Sequence, residues 1–181
     1  MKKAFFLLAA LLISGAASAQ TYIGIAGGPS KHDFNCSGTT NCDTSDAGFK
    51  AYLGVKFIPM LAGELTYTDF GKVKGRVGNI NFDYGATSFS AGAAVLLPLA
   101  PRVTFTGRMG VASVKAKLSA SLGSNSFSDS ETNTRPYYGL GIGVDVISGL
   151  TITGDVDLSS SKYREEKTDA RLFSVGLRYA F

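Results

Sequence analysis

The chain has 181 residues, of which 45% are hydrophobic and 18% charged, with a formal net charge of +4. That length suits a single domain and leaves no room for a second. Without Lys2 and Lys3 the balance is 16 basic residues against 14 acidic, which excludes the strongly basic surface of a nucleic-acid binder.

The first 19 residues, MKKAFFLLAALLISGAASA, carry two lysines, a short apolar run, and small residues closing on Ala17, Ser18 and Ala19. This is the order of a secretory signal peptide, with cleavage expected between Ala19 and Gln20, so that residues 20–181 form the mature domain. The apolar run is shorter than the roughly 20 residues a spanning helix needs. No later stretch is long and apolar enough to be one. A membrane protein of this composition therefore has to be a β-barrel, the other structure that satisfies every backbone group in lipid.

Alternation bounded by turn residues predicts eight strands, near 21–28, 48–58, 61–70, 84–97, 102–116, 135–147, 150–159 and 171–181. The first leads into a long polar segment, 29–47, that holds the single histidine, His32, and the two cysteines, Cys36 and Cys42, in CSGTTNC. Exported proteins keep disulfides, so this pair is expected to staple the loop. Chain entropy for so small a ring gives roughly 2–2.5 kcal/mol. The spacing is not that of a zinc site, and no metal or other cofactor is expected.

The second strand alternates Phe49, Ala51, Leu53, Val55 and Phe57 with Lys50, Tyr52, Gly54 and Lys56. The third places Glu64 on the second face, and a long segment, 71–83, made basic by Lys72, Lys74 and Arg76, follows it. A solvated loop is the favoured reading of these cations, and contact with lipopolysaccharide phosphates the alternative. The fourth and fifth strands repeat the pattern, with Arg108 among small residues opposite Phe105, Met109 and Val111. A Ser-rich segment, 117–134, separates them from the sixth, where Gly139, Gly141 and Gly143 alternate with Leu140, Ile142 and Val144. These glycines precede no helix, so they are interior spacers and not a phosphate cradle. The seventh strand carries Asp155 and Asp157, and a mixed-charge segment, 160–170, leads to the last.

Short connections at 58–60, 97–102 and 147–149 alternate with the four long ones. In an eight-stranded antiparallel barrel this order puts all short turns on the periplasmic side and all long loops outside. The second face of the strands is mostly Gly, Ala, Ser and Thr, which suits the cramped interior of such a barrel better than a water-facing surface. Its few charges are Lys50, Lys56, Glu64, Arg108, Asp155, Asp157 and Arg178. Buried charges are tolerable only when paired. Glu64 and Asp155 are therefore predicted to meet Lys50, Arg108 and Arg178 in an interior network, which would plug the lumen or, in a second reading, gate a narrow conduit.

The final segment, RLFSVGLRYAF, turns Phe173, Val175, Leu177, Tyr179 and Phe181 to one face. It reads as a lipid-facing strand, and it resembles the aromatic C-terminal signature that outer-membrane barrels present to their assembly machinery, with Tyr179 and Phe181 as the address. GFKAYLGVKF (48–57), LAGELTYTDFG (61–71), RPYYGLGIGVDV (135–146) and TGDVD (153–157), taken with it, resemble the transmembrane domain of OmpA-type proteins and the small outer-membrane β-barrel family around it. The resemblance covers the whole mature chain and implies an all-β, eight-stranded transmembrane barrel in the outer membrane of a Gram-negative bacterium. It places interior charge at Glu64, Arg108, Asp155 and Arg178. Two departures stand out. The chain ends with the barrel, so the peptidoglycan-binding domain of larger OmpA proteins is not expected, and Val156 stands where an aromatic would thicken the lipid-facing girdle.

The leading functional expectation is a non-enzymatic protein with a role in membrane integrity or surface interaction. Its expected partners are outer-membrane lipids, lipopolysaccharide, the assembly machinery and host or envelope surfaces, with no nucleic acid among them. A narrow porin-like channel is the alternative. A lipid A-modifying enzyme is the third reading; it would have to use His32, for which no matching acid and nucleophile spacing is visible.

Overall fold

The computed structural model describes residues 20–32, 41–43, 45–77, 80–122, 125–163 and 166–181. The leader, Ala19 with it, and the disulfide, which needs Cys36, lie outside the described residues; so do the side chains of His32, Lys74 and Arg76. Among the described residues nine strands appear: β1 (Thr21–His32), β2 (Asn41–Asp43), β3 (Ser45–Ile58), β4 (Leu61–Val77), β5 (Ile80–Ala100), β6 (Val103–Leu122), β7 (Asn125–Ile147), β8 (Leu150–Tyr163) and β9 (Glu166–Ala180). Eight of them form a closed antiparallel ring in the order β1, β3, β4, β5, β6, β7, β8, β9 and back to β1, while the short β2 lies against the upper part of β4. Closure removes the edges that an open sheet would expose. The all-β, eight-stranded barrel that alternation predicts is the fold observed.

Tight turns at Pro59 and Met60, Pro101 and Arg102, and Ser148 and Gly149 lie at the same end as the described chain ends. Gly149 has φ 80°, a left-handed conformation that glycine adopts without steric cost. At this end the Phe181 N–H donates to the Thr21 carbonyl at 2.9 Å.

The opposite end departs from expectation. The segments 71–83, 117–134 and 160–170 read as loops, yet most of each is paired strand: the ladders run up to Val77 with Ile80, Leu122 with Asn125, and Tyr163 with Glu166. The reason is physical. Above the membrane both faces of a strand meet water, so the apolar alternation that marks a strand vanishes while its backbone pairing persists. The result is a tall sheet of β2, β4, β5, β6 and β7 rising from one side of the ring.

Among the described residues three seams of the wall are incomplete, one of them the β3–β4 ladder, which ends at Phe49 with Asp69 although β3 begins at Ser45. The β7–β8 ladder stops at Tyr137 with Ser159, one residue below Pro136, which has no N–H to donate. From there up to Asn125, β7 pairs with β6 alone among the described residues. The β1–β9 ladder skips Gly28 and Pro29 and resumes in the same register at Ser30 with Leu172. A further irregularity is a bulge in β4 between Asp69 and Lys72. Gly71 adopts φ 72° there and donates its N–H to Asp69 Oδ1 at 2.9 Å, while Lys72 N–H reaches Asp46 Oδ2 at 2.8 Å. Such a bulge re-aims side chains; Phe70 is the last inward residue of the even row Ala62, Glu64, Thr66 and Thr68, and beyond the bulge Lys72 turns outward.

Candidate functional site

The lumen is where the sequence concentrates its unusual chemistry. Strand parity points Tyr22 on β1, Lys50 and Tyr52 on β3, Glu64 and Thr66 on β4, Arg108 on β6, Tyr137 on β7, Asp155 and Asp157 on β8, and Arg178 on β9 inward, and all of them are buried. Alternate residues form the apolar outer belt, among them Ile25, Phe49, Phe89, Leu140, Phe173 and Val175.

Arg108 sits at the centre. Its Nε donates to Glu64 Oε1 at 2.8 Å and its Nη1 to Asp155 Oδ1 at 2.7 Å. Lys50 Nζ donates to Asp157 Oδ2 at 2.6 Å and lies 3.3 Å from Asp155 Oδ2. Three hydroxyls answer the remaining carboxylate lone pairs. Tyr22 donates to Glu64 Oε2 at 2.9 Å, Thr66 to Glu64 Oε1 at 3.2 Å, and Tyr137 to Asp157 Oδ1. Charge-assisted bonds of this kind are the strong ones.

Arg178 is placed differently from the expectation that it meets Glu64 and Asp155. Its guanidinium stacks on Tyr22, 5.6 Å from the ring centroid, and among the described residues it forms no ion pair with either acid. The Tyr22 ring stands between it and Glu64, so it is coupled to that acid at one remove. Three acids thus share the lumen with three cations, Lys50, Arg108 and Arg178. Lys56 lies lower, in a vestibule of about 630 Å³ at the turn end, with Arg102, Asp145 and Arg178.

Glycines make room for the aromatics of this array. A Cβ on Gly54 would overlap the Tyr22 ring, and one on Gly24 would overlap the Tyr52 ring. Since Tyr22 pairs with Gly54 and Gly24 with Tyr52, each tyrosine covers the glycine opposite it, a device that also repairs the weakness of glycine in a strand. The Tyr52 ring carries Arg108 at 5.1 Å and Lys50 at 5.4 Å from its centroid. Below the charges Tyr22, Tyr52, Ala62, Ala94 and Leu96 pack together; above them lie Phe70, Ala86, Ala116, Ala170 and Leu172. Lys50, Arg108 and their three acids lie between these two apolar groups, while Arg178 lines the vestibule below.

Reasoning from sequence missed Tyr22, Tyr137 and the pairing of Asp157. Parity alone offered a clue, because each tyrosine shares a face with strand glycines. Chemically the array holds staves together: one arginine ties β4, β6 and β8, and one lysine ties β3 to β8. Among the described residues no cluster of three or more His, Cys, Asp or Glu is arranged for a metal.

A closed antiparallel ring that is apolar outside and charge-paired inside is a transmembrane β-barrel. The chain belongs to the outer membrane protein β-barrel family, whose domain model matches residues 4–181, which places it in the Gram-negative outer membrane. Solved structures agree in fold. The attachment invasion locus protein Ail of Yersinia pestis superposes with a TM-score of 0.64 at 19% identity, covering 90% of this chain and 99% of that one. Neisserial surface protein A gives 0.62 at 16% identity, with 89% and 97% covered. The N-terminal barrel domain of Pseudomonas aeruginosa OprF gives 0.56 at 10%, with 90% and 97% covered. No curated sequence relative matches the chain.

Proposed function

We propose that this protein is a non-enzymatic integral outer-membrane barrel that supports the envelope and meets partners through the sheet standing above the membrane. The observation that carries the reading is the upper part of β7, which pairs with β6 on one side and, among the described residues, meets no strand ladder on the other above Tyr137. An unpaired strand edge is a ready template for a partner strand. Its flanks add specificity: Lys115 and Lys117 are exposed on β6, and Asp129 is exposed on β7. The Ail barrel has been crystallised with the heparin analogue sucrose octasulfate, so sulfated glycans are a rational first probe for the basic flank.

The test replaces residues 117–130 with an Asn-Gly turn between the register partners Ala116 and Glu131. The shortened barrel is expected to fold, as read by its heat-dependent mobility on a denaturing gel. Bacteria displaying it are expected to lose most of their binding to host-cell and heparin-coated surfaces. Unchanged binding with intact folding would overturn the reading.

The conduit reading is less favoured because two apolar groups enclose Lys50, Arg108 and their three acids. Reproducible single-channel steps in planar bilayers, abolished by joint Glu64→Gln and Arg108→Met substitution, would restore it. Residues 1–19 act in this proposal as the export leader, leaving Gln20 as the mature N-terminus, and Tyr179 and Phe181 as the assembly address.

A further inference from the structure

The vestibule at the turn end carries an arrangement of charge separate from the network above it. Lys56 on β3, Arg102 in the β5–β6 turn and Arg178 on β9 line it from three places around the ring, and Asp145 on β7 is the one acid among its lining side chains. None of the three cations forms an ion pair among the described residues. Lys56 Nζ donates to Gln20 Oε1 at 3.1 Å, while Asp145 Oδ1 accepts from the Thr151 hydroxyl at 2.6 Å. Like charges facing one space repel each other, and an anion between them relieves that repulsion.

Arg178 is the buried member, only 7% exposed. Its guanidinium is positioned by the face it lays on the Tyr22 ring and by the room that Gly143 leaves it, since a Cβ on Gly143 would stand 3.3 Å from Arg178 Nη2. Neither contact uses an N–H. Among the described residues no oxygen accepts from this side chain, although a guanidinium presents five donors in a fixed fork and buried donors are normally met. An acceptor is therefore expected from outside the chain, on the side where Arg178 borders the vestibule. The space there, about 630 Å³, is that of a small-molecule pocket. Cations approaching from three places suit a phosphate monoester, whose head offers three diverging acceptor oxygens, better than a carboxylate with two in one plane.

We propose that the periplasmic vestibule binds the phosphate head of a small soluble phosphate monoester, with the Arg178 fork as anchor and Lys56 and Arg102 meeting its other oxygens from the rim. Asp145 faces the same space and weakens the hold. The site lies at the opposite end of the barrel from the tall sheet, so it stands or falls independently of that sheet's role. Binding through rim cations weakens as salt rises.

The test refolds the whole barrel in an alkyl maltoside, a detergent without phosphate, and follows radiolabelled glycerol phosphate by equilibrium dialysis. Competitors are glycerol, glycerate, inorganic phosphate and phosphatidylglycerol in mixed micelles, which separate the phosphate from its body, from a carboxylate and from a lipid headgroup. Glycerol phosphate is expected to bind about 10-fold more tightly than glycerate, inorganic phosphate to compete, and glycerol and phosphatidylglycerol to leave the label in place. Arg178→Lys keeps the charge and loses the fork, and it is expected to weaken binding by about 10-fold. Joint Lys56→Gln and Arg102→Gln substitution, at half-buried and exposed positions of the rim, is expected to cost about as much. Asp145→Asn should tighten binding by about 2-fold or more, a sign that a merely structural role would not produce. Lys31→Gln, at the other end of β1, should change nothing. The proposal fails if glycerol phosphate is not retained, if glycerate or phosphatidylglycerol displaces it as well as inorganic phosphate does, or if Lys31→Gln costs as much as the rim pair. Should Arg178→Lys not fold, the rim pair and Asp145→Asn still decide, and unchanged binding in both overturns the site.

Discussion

Arg108 answers two acids from two different strands, and its removal leaves both Glu64 and Asp155 short of a partner. Breaking a buried pair from one side typically costs about 3–5 kcal/mol. Arg108→Met is therefore expected to lower the unfolding free energy of the bilayer-refolded barrel, read from urea titration, by an amount in that range. A loss under about 1 kcal/mol, the scale of an exposed pair, would mean that the array does not bind the staves. Gly54→Ala addresses the same layer from the opposite side. Its Cβ displaces the Tyr22 ring, and with it the bond to Glu64 and the surface on which Arg178 rests. At this scale the sequence was partly legible. Period-two alternation states which charges face inward, because parity is local; it cannot state which of them meet across the lumen. Arg178 shows the gap. Its inward direction was readable, whereas the interposed Tyr22 ring depends on the β1–β3 register, which no single strand contains.

Among the elements, β4 carries a backbone irregularity at the edge of the core. The bulge around Gly71 follows directly on Phe70, the last inward residue of β4 and part of the upper apolar layer, and turns Lys72 outward. Gly71→Ala would force an L side chain into a left-handed φ, with Ala47 O at 2.8 Å and Asp46 Cβ at 2.9 Å from its Cβ. A strain of about 1–2 kcal/mol follows, and proteolysis near the upper end of β4 is expected to quicken while the lower barrel keeps its protection. If digestion is unchanged, the bulge does not depend on glycine. The bulge was hidden in the sequence because the turn-like DFG in 69–71 also reads as a strand end. The tall arms were hidden for a related reason: a ribbon wet on both faces has no apolar row to announce it, so polar paired strand and polar loop look alike until the partner strand is known.

For the molecule as a whole, the ring was the most legible level, since it needed only a count of staves and the alternation of short with long connections. Phe181 belongs to this scale. It is 69% exposed on the outer surface and contacts Tyr179 edge-to-face at 5.0 Å between centroids. Phe181→Ser is accordingly expected to leave the unfolding midpoint of refolded protein nearly unchanged while reducing the amount that reaches the outer membrane in cells. An equal loss in both measurements would make Phe181 a packing residue and not an address. Two of the incomplete seams have a mechanical meaning. One stops below Pro136 and the other skips Gly28 and Pro29, and together they flank the β8–β9 hairpin, whose own ladder is unbroken from Leu150 to Tyr163. Under a pulling force the wall should unzip along those two lines first, so that β8 and β9 leave the ring together as one piece. Run in reverse, the same hairpin is the natural last piece to be zipped in, and it carries the aromatic terminus with it.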